Sequence, residues 1–211
     1  MCAELHSATL AALVPTPNLT QLGDDVLDRG CYMPNPSPPT STSLWHLHVV
    51  GALIGICLRT KHTLPFELAT TVWQAILGQT PTLADYERVD KSTAQRIIRV
   101  RDNSDPACPD MSEEVFDIVY GTILDFTIPR SDSLAKVPLK PNSAETLTFA
   151  NRHEWAALAE AYLLHECDAQ HEAIRQGLAQ LVPLDALCLF SPAELERLVI
   201  GERDWKVADL T

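Results

Sequence analysis

The chain has 211 residues, of which 46% are hydrophobic and 21% charged, and its 28 acidic against 16 basic side chains give a formal net charge of −12. These values are ordinary for a globular protein with its own core, and they exclude a disordered chain. The excess of acid would repel a phosphate backbone, so nucleic acid is not expected as a partner and a basic protein is favoured.

The first third of the chain predicts two helices separated by an irregular stretch. Residues 2–13 have apolar side chains near helical spacing, and the pattern ends before Pro15. Residues 44–59 are apolar on nearly every side, which predicts a buried helix, because the most apolar run is shorter than the roughly 20 residues that cross a bilayer. Gly51 and Gly55, four residues apart, would let another backbone approach this helix closely.

The next segments predict three shorter helices. Pro65 suits the first turn of a helix that ends at Gly78. Thr82 and the three residues that follow it resemble a capping box with Asp in place of Glu. Asp90 caps a third helix that runs to about Arg101.

Strands are expected only in the middle of the chain. Residues 123–128 have the composition of a strand, and residues 137–139 and 147–149 are candidate partners for it. A short helix that opens at Ser112 precedes them and is expected to bury three apolar side chains: Val115, Phe116 and Val119.

The last third of the chain predicts a long helix and a capped short one. Asn151, with Glu154 three residues later, is typical of a helix start, and the apolar pattern continues until Pro183. Ser191 and Glu194 flank a proline at the first helical position, which predicts another helix that Gly201 ends. The resulting fold class is α+β, mostly helical.

Neither a metal site nor a catalytic nucleophile is predicted. His165 and His171 are six residues apart, roughly on opposite sides of one helix, so they cannot chelate one ion, and a solvated helix face is the better interpretation. Cys57 and Cys188 lie in apolar surroundings that indicate inert core residues, while Cys31 and Cys108 lie in loops without an activating base. No cofactor is expected. The six cysteines form no close pair, which together with the lack of a signal peptide favours a reducing, cytoplasmic setting without membrane contact.

Several motifs in order resemble one known family. Residues 50–59 resemble an apolar helix of the form FLGxLLGxAxx, and residues 82–85 resemble T-L-x-D-L. Residues 151–155 resemble N-R-x-E-Y, residues 162–166 resemble Y-R-L-H-E, and residues 181–201 carry a closing V-P, L-F, E-L-E and G signature. About nine such matches in register make the chain similar to the HECT domain of HECT-type ubiquitin-protein ligases, and most similar to the large HERC subgroup.

The resemblance implies that residues 1–211 form a partial HECT domain, the N-lobe. Residues of about 80–150 would form a small subdomain with strands that binds the ubiquitin-conjugating enzyme, and the remainder would form a larger helical subdomain. In this family ubiquitin passes from the thioester of the conjugating enzyme to a cysteine in a T-C-F-like loop of the C-lobe, and then to a substrate lysine. No Thr-Cys-Phe occurs here, so the C-lobe is expected to be missing. This chain alone is expected to be inactive, although the family is one of acyltransferases.

The family register also suggests which residues bind the conjugating enzyme. Trp155 matches an aromatic residue that lines a hydrophobic groove, which would make it an exposed anchor; ordinary core packing is the alternative. Ile97 matches a leucine on the facing helix, and Leu124 matches an apolar position at the strand. Ala159 and Thr93 depart from the family pattern, since an aromatic residue and a leucine are common at those positions.

Two other functions remain open on the sequence alone. One is a non-catalytic short form that acts as an interaction or decoy module and sequesters conjugating enzymes or partners of a parent ligase. The other is an independent hydrolase or metalloprotein that uses the helix bearing His165 and Cys167. Substrate proteins would be recruited through regions outside the chain.

Overall fold

The computed structural model of the chain describes residues 12–20, 27–133 and 135–201. The helices in these ranges are α1 (Ser41–Thr60), α2 (Thr70–Ile76), α3 (Leu83–Tyr86), α4 (Lys91–Asp102), α5 (Glu113–Gly121), α6 (Arg152–His165), α7 (Asp168–Ala179), α8 (Leu184–Leu187) and α9 (Pro192–Ile200). Three antiparallel strand pairs accompany them: β1 (Leu13–Pro15) with β2 (Tyr32–Pro34), β3 (Ser104–Asp105) with β4 (Cys108–Pro109), and β5 (Thr127–Pro129) with β6 (Lys136–Pro138). The mostly helical α+β class is confirmed.

The most extensive packing joins α1 to α7 through two glycines. A Cβ atom on Gly51 of α1 would lie 1.9 Å from the carbonyl oxygen of Ile174 in α7. Reciprocally, a Cβ atom on Gly177 of α7 would lie 1.9 Å from the carbonyl oxygen of His48 in α1. Each helix therefore presses its backbone into the gap left by the other's missing side chain, which confirms the close approach predicted at Gly51.

The length predicted for the apolar helix was wrong. α1 has 20 residues, and among the described residues it is the one helix long and apolar enough to cross a membrane by length and composition. A core helix passes the same test, and the buried side chains of α1, which include Leu47, Val50 and Ile54, lie on the face that meets α7. The helix is not buried on every side, because Trp45 is 61% exposed.

Other corrections concern where the helices begin. Leu13 lies in β1 and not at the end of a helix; residues 1–11 of that predicted helix lie outside the described residues. Pro65 precedes α2 by five residues, because the backbone of residues 66–69 is held in an extended connection. There Tyr32 donates its N–H to the Glu67 carbonyl at 2.7 Å, and Ala69 donates to the Tyr32 carbonyl at 2.8 Å.

The predicted long helix is divided at residues 166–167 into α6 and α7. Asn151 is the N-cap residue of α6 as predicted, but its side chain makes no capping bond; the Asn151 Oδ1 atom accepts from the Thr148 N–H at 2.7 Å. The caps predicted at Thr82, Asp90, Ser112 and Ser191 are all confirmed. Local hydrogen-bonding patterns were therefore predicted better than long-range ones.

The segment between α4 and α6 differs most from the prediction. Phe116 of α5 is buried, but Val115 and Val119 are 40% and 38% exposed, so the predicted inner face was wrong for both. The predicted strand at residues 123–128 shrinks to β5, which starts at Thr127 and pairs with β6 as expected. Residues 147–149 form no strand; the Leu147 N–H donates to the Leu124 carbonyl at 3.2 Å.

Candidate functional site

A cleft of about 240 Å³ lies where α4, the turn after α5, the β5–β6 hairpin and the start of α6 meet. The following residues line it: Arg96, Ile123, Leu124, Asp125, Thr127, Pro129, Lys136 and Trp155. Two of the five residues predicted to bind a conjugating enzyme, Leu124 and Trp155, are therefore brought together here. We call this pocket the Trp155 cleft.

Trp155 forms the closed end of the cleft. Its side chain is 1% exposed, and its indole Nε1–H donates a hydrogen bond of 2.9 Å to the Asp125 carbonyl. This bond fixes the first turn of α6 against the segment that leads into β5. The expectation of an exposed aromatic anchor is wrong, because the ring is packed in the core and only borders the cleft. Its role in binding a partner stays a prediction.

The other three predicted residues lie outside the Trp155 cleft. Ile97 and Ala159 are fully buried, on α4 and α6, which pack against each other. Thr93, one turn before Ile97, is 4% exposed and lines a second, larger cleft of about 680 Å³ between β1, the start of α4 and residues 129–133. Packing between the two helices thus takes up the side chains that the family register placed on the groove.

Sequence reasoning missed the most accessible apolar residue of the cleft. Ile123 is 69% exposed, while the neighbouring Leu124 is half-buried. Ile123 does not belong to a strand, because its N–H bonds to the Tyr120 carbonyl in the turn that ends α5. The helix-ending Gly121 was the available signal, since a residue in such a turn commonly points to solvent.

Hydrogen bonds and one ion pair order the polar side of the cleft. Lys136 lies 3.3 Å from a carboxylate oxygen of Asp125, and the Thr127 hydroxyl donates to the same carboxylate. Burial works to raise the pKa of Asp125, but these two partners outweigh it and the net pKa is lowered. The carboxylate is therefore ionised and paired at neutral pH.

Arg96 lies between the two clefts and lines both. Its Nη2 atom is 3.4 Å from the Thr93 hydroxyl, and its Nε–H is buried without any hydrogen-bond partner. Burial lowers the pKa of Arg96, and the nearby charge of Asp90 partly opposes this. An arginine remains charged under such conditions, so the cleft holds a cation that makes no ion pair with any carboxylate in the described part of the chain.

A buried carboxyl group connects the cleft region to the helix pair. Glu166, at the α6–α7 junction, accepts hydrogen bonds from the Tyr86 hydroxyl at 2.5 Å and from the Ser131 hydroxyl. Burial raises the pKa of Glu166 and outweighs these two bonds, which lower it. The junction therefore favours the protonated form more than water does.

The histidines and cysteines do not converge on this site. His165 pairs with Asp168 at 2.9 Å on an exposed helix face, and burial lowers the pKa of His171 to about 4. Within the described ranges no three histidine, cysteine or acidic side chains are placed to share a metal ion. Cys188 is exposed, so its predicted place in the core was wrong, whereas Cys31, predicted in a loop, is buried.

Comparison with known proteins gives a consistent set of matches. The family model described as "HECT-domain (ubiquitin-transferase)" matches residues 11–211. The E3 ubiquitin-protein ligases HERC2 of Mus musculus and Homo sapiens are each 34% identical, over 205 and 207 residues, or 97% of this chain. The E3 ubiquitin-protein ligase pub1 of Schizosaccharomyces pombe is 23% identical over 164 residues, covering 74% of this chain and 20% of its own. The chain spans about 4% of the length of the HERC2 relatives.

Proposed function

Because the chain belongs to the HECT-domain family of ubiquitin transferases, with HERC2-like relatives, we propose that it is N-lobe sequence that docks a ubiquitin-conjugating enzyme at the Trp155 cleft. The docked enzyme would present its ubiquitin thioester to a cysteine outside this chain, which would then pass ubiquitin to a substrate lysine. The observation that carries the proposal is a small apolar cleft with an exposed aliphatic side chain at its rim.

The shape and composition of the cleft suit a protruding apolar loop residue. Trp155 and Leu124 provide an apolar wall that is already ordered, and Ile123, 69% exposed, extends it into solvent. A partner side chain that enters would cover Ile123 and lose little freedom in the receiving wall, since the indole is fixed by its bond to Asp125. A cleft of this size supports small, transient complexes.

The cysteines support a docking function and not a covalent one. None of the described cysteines lines the cleft. Cys31, Cys57 and Cys167 are buried, and burial raises the pKa of the Cys167 thiol well above its usual value, which disfavours the reactive thiolate. Cys108 and Cys188 are exposed but lie in the β3–β4 hairpin and after α8, away from the cleft. The six cysteines are spread along the chain without a close pair, which suits the reducing, cytoplasmic setting that we propose.

The proposed small subdomain of about residues 80–150 supplies seven of the eight side chains that line the cleft, and Trp155 at the start of α6 supplies the eighth. The binding surface would therefore form where this subdomain meets the long helices.

The decisive experiment is an NMR titration of the ¹⁵N-labelled chain with free ubiquitin-conjugating enzymes. We expect the Trp155 indole resonance to shift in wild type, because the indole borders the cleft. Ile123→Asp should weaken binding at least about tenfold, since it places a charge where apolar surface would be buried. Ile118→Asp is the matched control, because Ile118 is 68% exposed, also lies near the end of α5, and does not line the cleft.

Three outcomes would contradict the proposal. They are a wild-type spectrum that does not respond to any conjugating enzyme, chemical-shift changes that lie outside the cleft, and equal binding by the two aspartate variants. A thioester assay gives a separate test: a described cysteine that takes ubiquitin from a loaded conjugating enzyme would contradict the proposed division between docking and chemistry.

A further inference from the structure

Arg96 is a partly buried cation that makes no ion pair with any described carboxylate, although the charge of Asp90 acts on it from nearby. Its Nε–H lies out of reach of solvent and has no acceptor, and its one side-chain contact is the long one to Thr93. Among the described residues no carboxylate oxygen lies within ion-pair distance of it. Buried donors without acceptors are rare in folded proteins, because each loses its hydrogen bonds to water without gaining a replacement.

The neighbouring acidic groups are engaged elsewhere. Asp90 accepts hydrogen bonds from the Ser92 hydroxyl and from the Thr93 N–H, which caps α4. Asp125 is paired with Lys136, and Asp132 is paired with Arg130 at 2.5 Å. Each of these three carboxylates therefore already has another partner, and of the three only Asp90 acts on the pKa of Arg96 through its charge.

The charge of the Trp155 cleft is therefore positive within a protein of net charge −12. Its charged lining residues are Arg96, Lys136 and Asp125, and the last two neutralise each other. A basic ligand would therefore be repelled from the cleft itself. An anionic group that enters the cleft would meet a guanidinium that is already partly desolvated, where a charge-assisted hydrogen bond is strong.

We infer that Arg96 selects among conjugating enzymes by binding a carboxylate of the docked partner, an aspartate or glutamate next to the apolar side chain that enters the Trp155 cleft. This inference rests on the proposed function and adds a requirement for an acidic residue in the partner's docking loop. Arg96 does not touch the reacting atoms, so its role is in specificity and not in catalysis.

The test uses the full chain, a panel of purified conjugating enzymes, and three variants. Arg96→Gln removes the charge, and Arg96→Met also removes the orphaned donor. Arg99→Gln is the matched control, since it removes a positive charge from the same helix, where Arg99 bonds to Gln95 at 3.2 Å and lines neither cleft. Binding is followed in wild type and in every variant by the resonance of the Trp155 indole, and in wild type and Arg99→Gln also by that of the Arg96 Nε–H.

We expect Arg96→Gln and Arg96→Met to weaken binding about tenfold for those conjugating enzymes that bind wild type best, while Arg99→Gln leaves it within about twofold. The Arg96→Met variant should also melt at a higher temperature than wild type, because it removes a partly desolvated charge and its buried, unpaired N–H. A variant that is more stable and yet binds less cannot owe its weaker binding to misfolding. Neutralising the partner's acidic residue should cause a similar loss that does not add to that of Arg96→Gln.

The outcomes separate the two proposals. If conjugating enzymes shift the Trp155 resonance but bind the Arg96 variants as tightly as wild type, the role of Arg96 is refuted and docking stands. The same conclusion follows if Arg99→Gln weakens binding as much as the Arg96 variants do. If no conjugating enzyme binds wild type, both proposals are refuted.

Discussion

The helix pair α1–α7 and the region of the Trp155 cleft differ in how closely their elements pack and in how much apolar surface they leave exposed. In the helix pair, Gly51 and Gly177 bring two backbones together so closely that no side chain fits between them. In the cleft region, the short β5–β6 pair and the turns beside it are held by backbone hydrogen bonds and by the bond from Trp155 to Asp125, and Ile123 is left in solvent. The helix pair has no space for an added side-chain atom, whereas the cleft region keeps an apolar side chain exposed outside the core.

This contrast indicates how the fold divides its tasks. Dense backbone packing gives a rigid support, in which most substitutions cost stability. An incompletely covered apolar surface does not contribute its full burial to folding, and that surface is available for burial against a partner. Mutations in the two regions should therefore fail in different assays, which makes the comparison testable.

The largest effect is expected in the helix pair. Gly177→Ala places a methyl group where the His48 carbonyl lies, so the helices must move apart, and we expect the free energy of unfolding to fall by about 3 kcal/mol or more. Chemical unfolding measures it. Gly30→Ala is the control, because no atom lies within 4 Å of its added Cβ and it should unfold like wild type. Similar stability of both variants would show that the pair is not the rigid support.

A smaller effect sharpens the comparison with two tryptophans. The indoles of Trp155 and Trp73 are each 1% exposed and donate to a carbonyl, that of Asp125 at 2.9 Å and that of Leu68 at 3.2 Å. Each Trp→Phe variant should lose about 1–2 kcal/mol of stability, from one hydrogen bond and a small cavity. Beyond this shared loss, only Trp155→Phe should weaken binding of a conjugating enzyme. Equal binding by the two variants would contradict the expectation that only the cleft region binds the partner.

The smallest effect concerns the link between the regions, Glu166. Since its pKa is raised in the folded state, its contribution to stability is present below the unfolded pKa near 4.5 and is lost as the pH rises through the folded pKa. Glu166→Gln should therefore gain stability relative to wild type at pH 7 but not at pH 4. Thermal unfolding at both pH values tests this, with Glu172→Gln on the exposed side of α7 as control. A difference that is the same at both pH values would contradict the assignment.

The sequence predicted those parts of the fold that local chemistry determines. The caps at Thr82 and Ser191 and the close approach at Gly51 were predicted because each depends on residues a few positions apart or on one missing side chain. The division of the predicted helix at residues 166–167 was not predicted. There Glu166 contacts Tyr86 and Ser131, and such contacts between residues far apart in the chain leave no local sequence pattern.

The site was predicted only in part for the same reason. Leu124 and Trp155 were found by family register, but register does not give burial, and Ile97 and Ala159 proved to be core residues. Arg96 was missed because its unusual feature is the lack of a partner, which no sequence pattern reports.

The interlocked glycines also bear on how the chain is made. α1 is complete at residue 60, but the helix that covers it ends only at residue 179. At ribosomal rates of about 5–20 residues per second, its apolar face waits for roughly 6–24 s without its partner. During synthesis the nascent chain thus exposes an apolar segment of the kind that chaperones bind. Slower translation would lengthen the time during which this segment can aggregate.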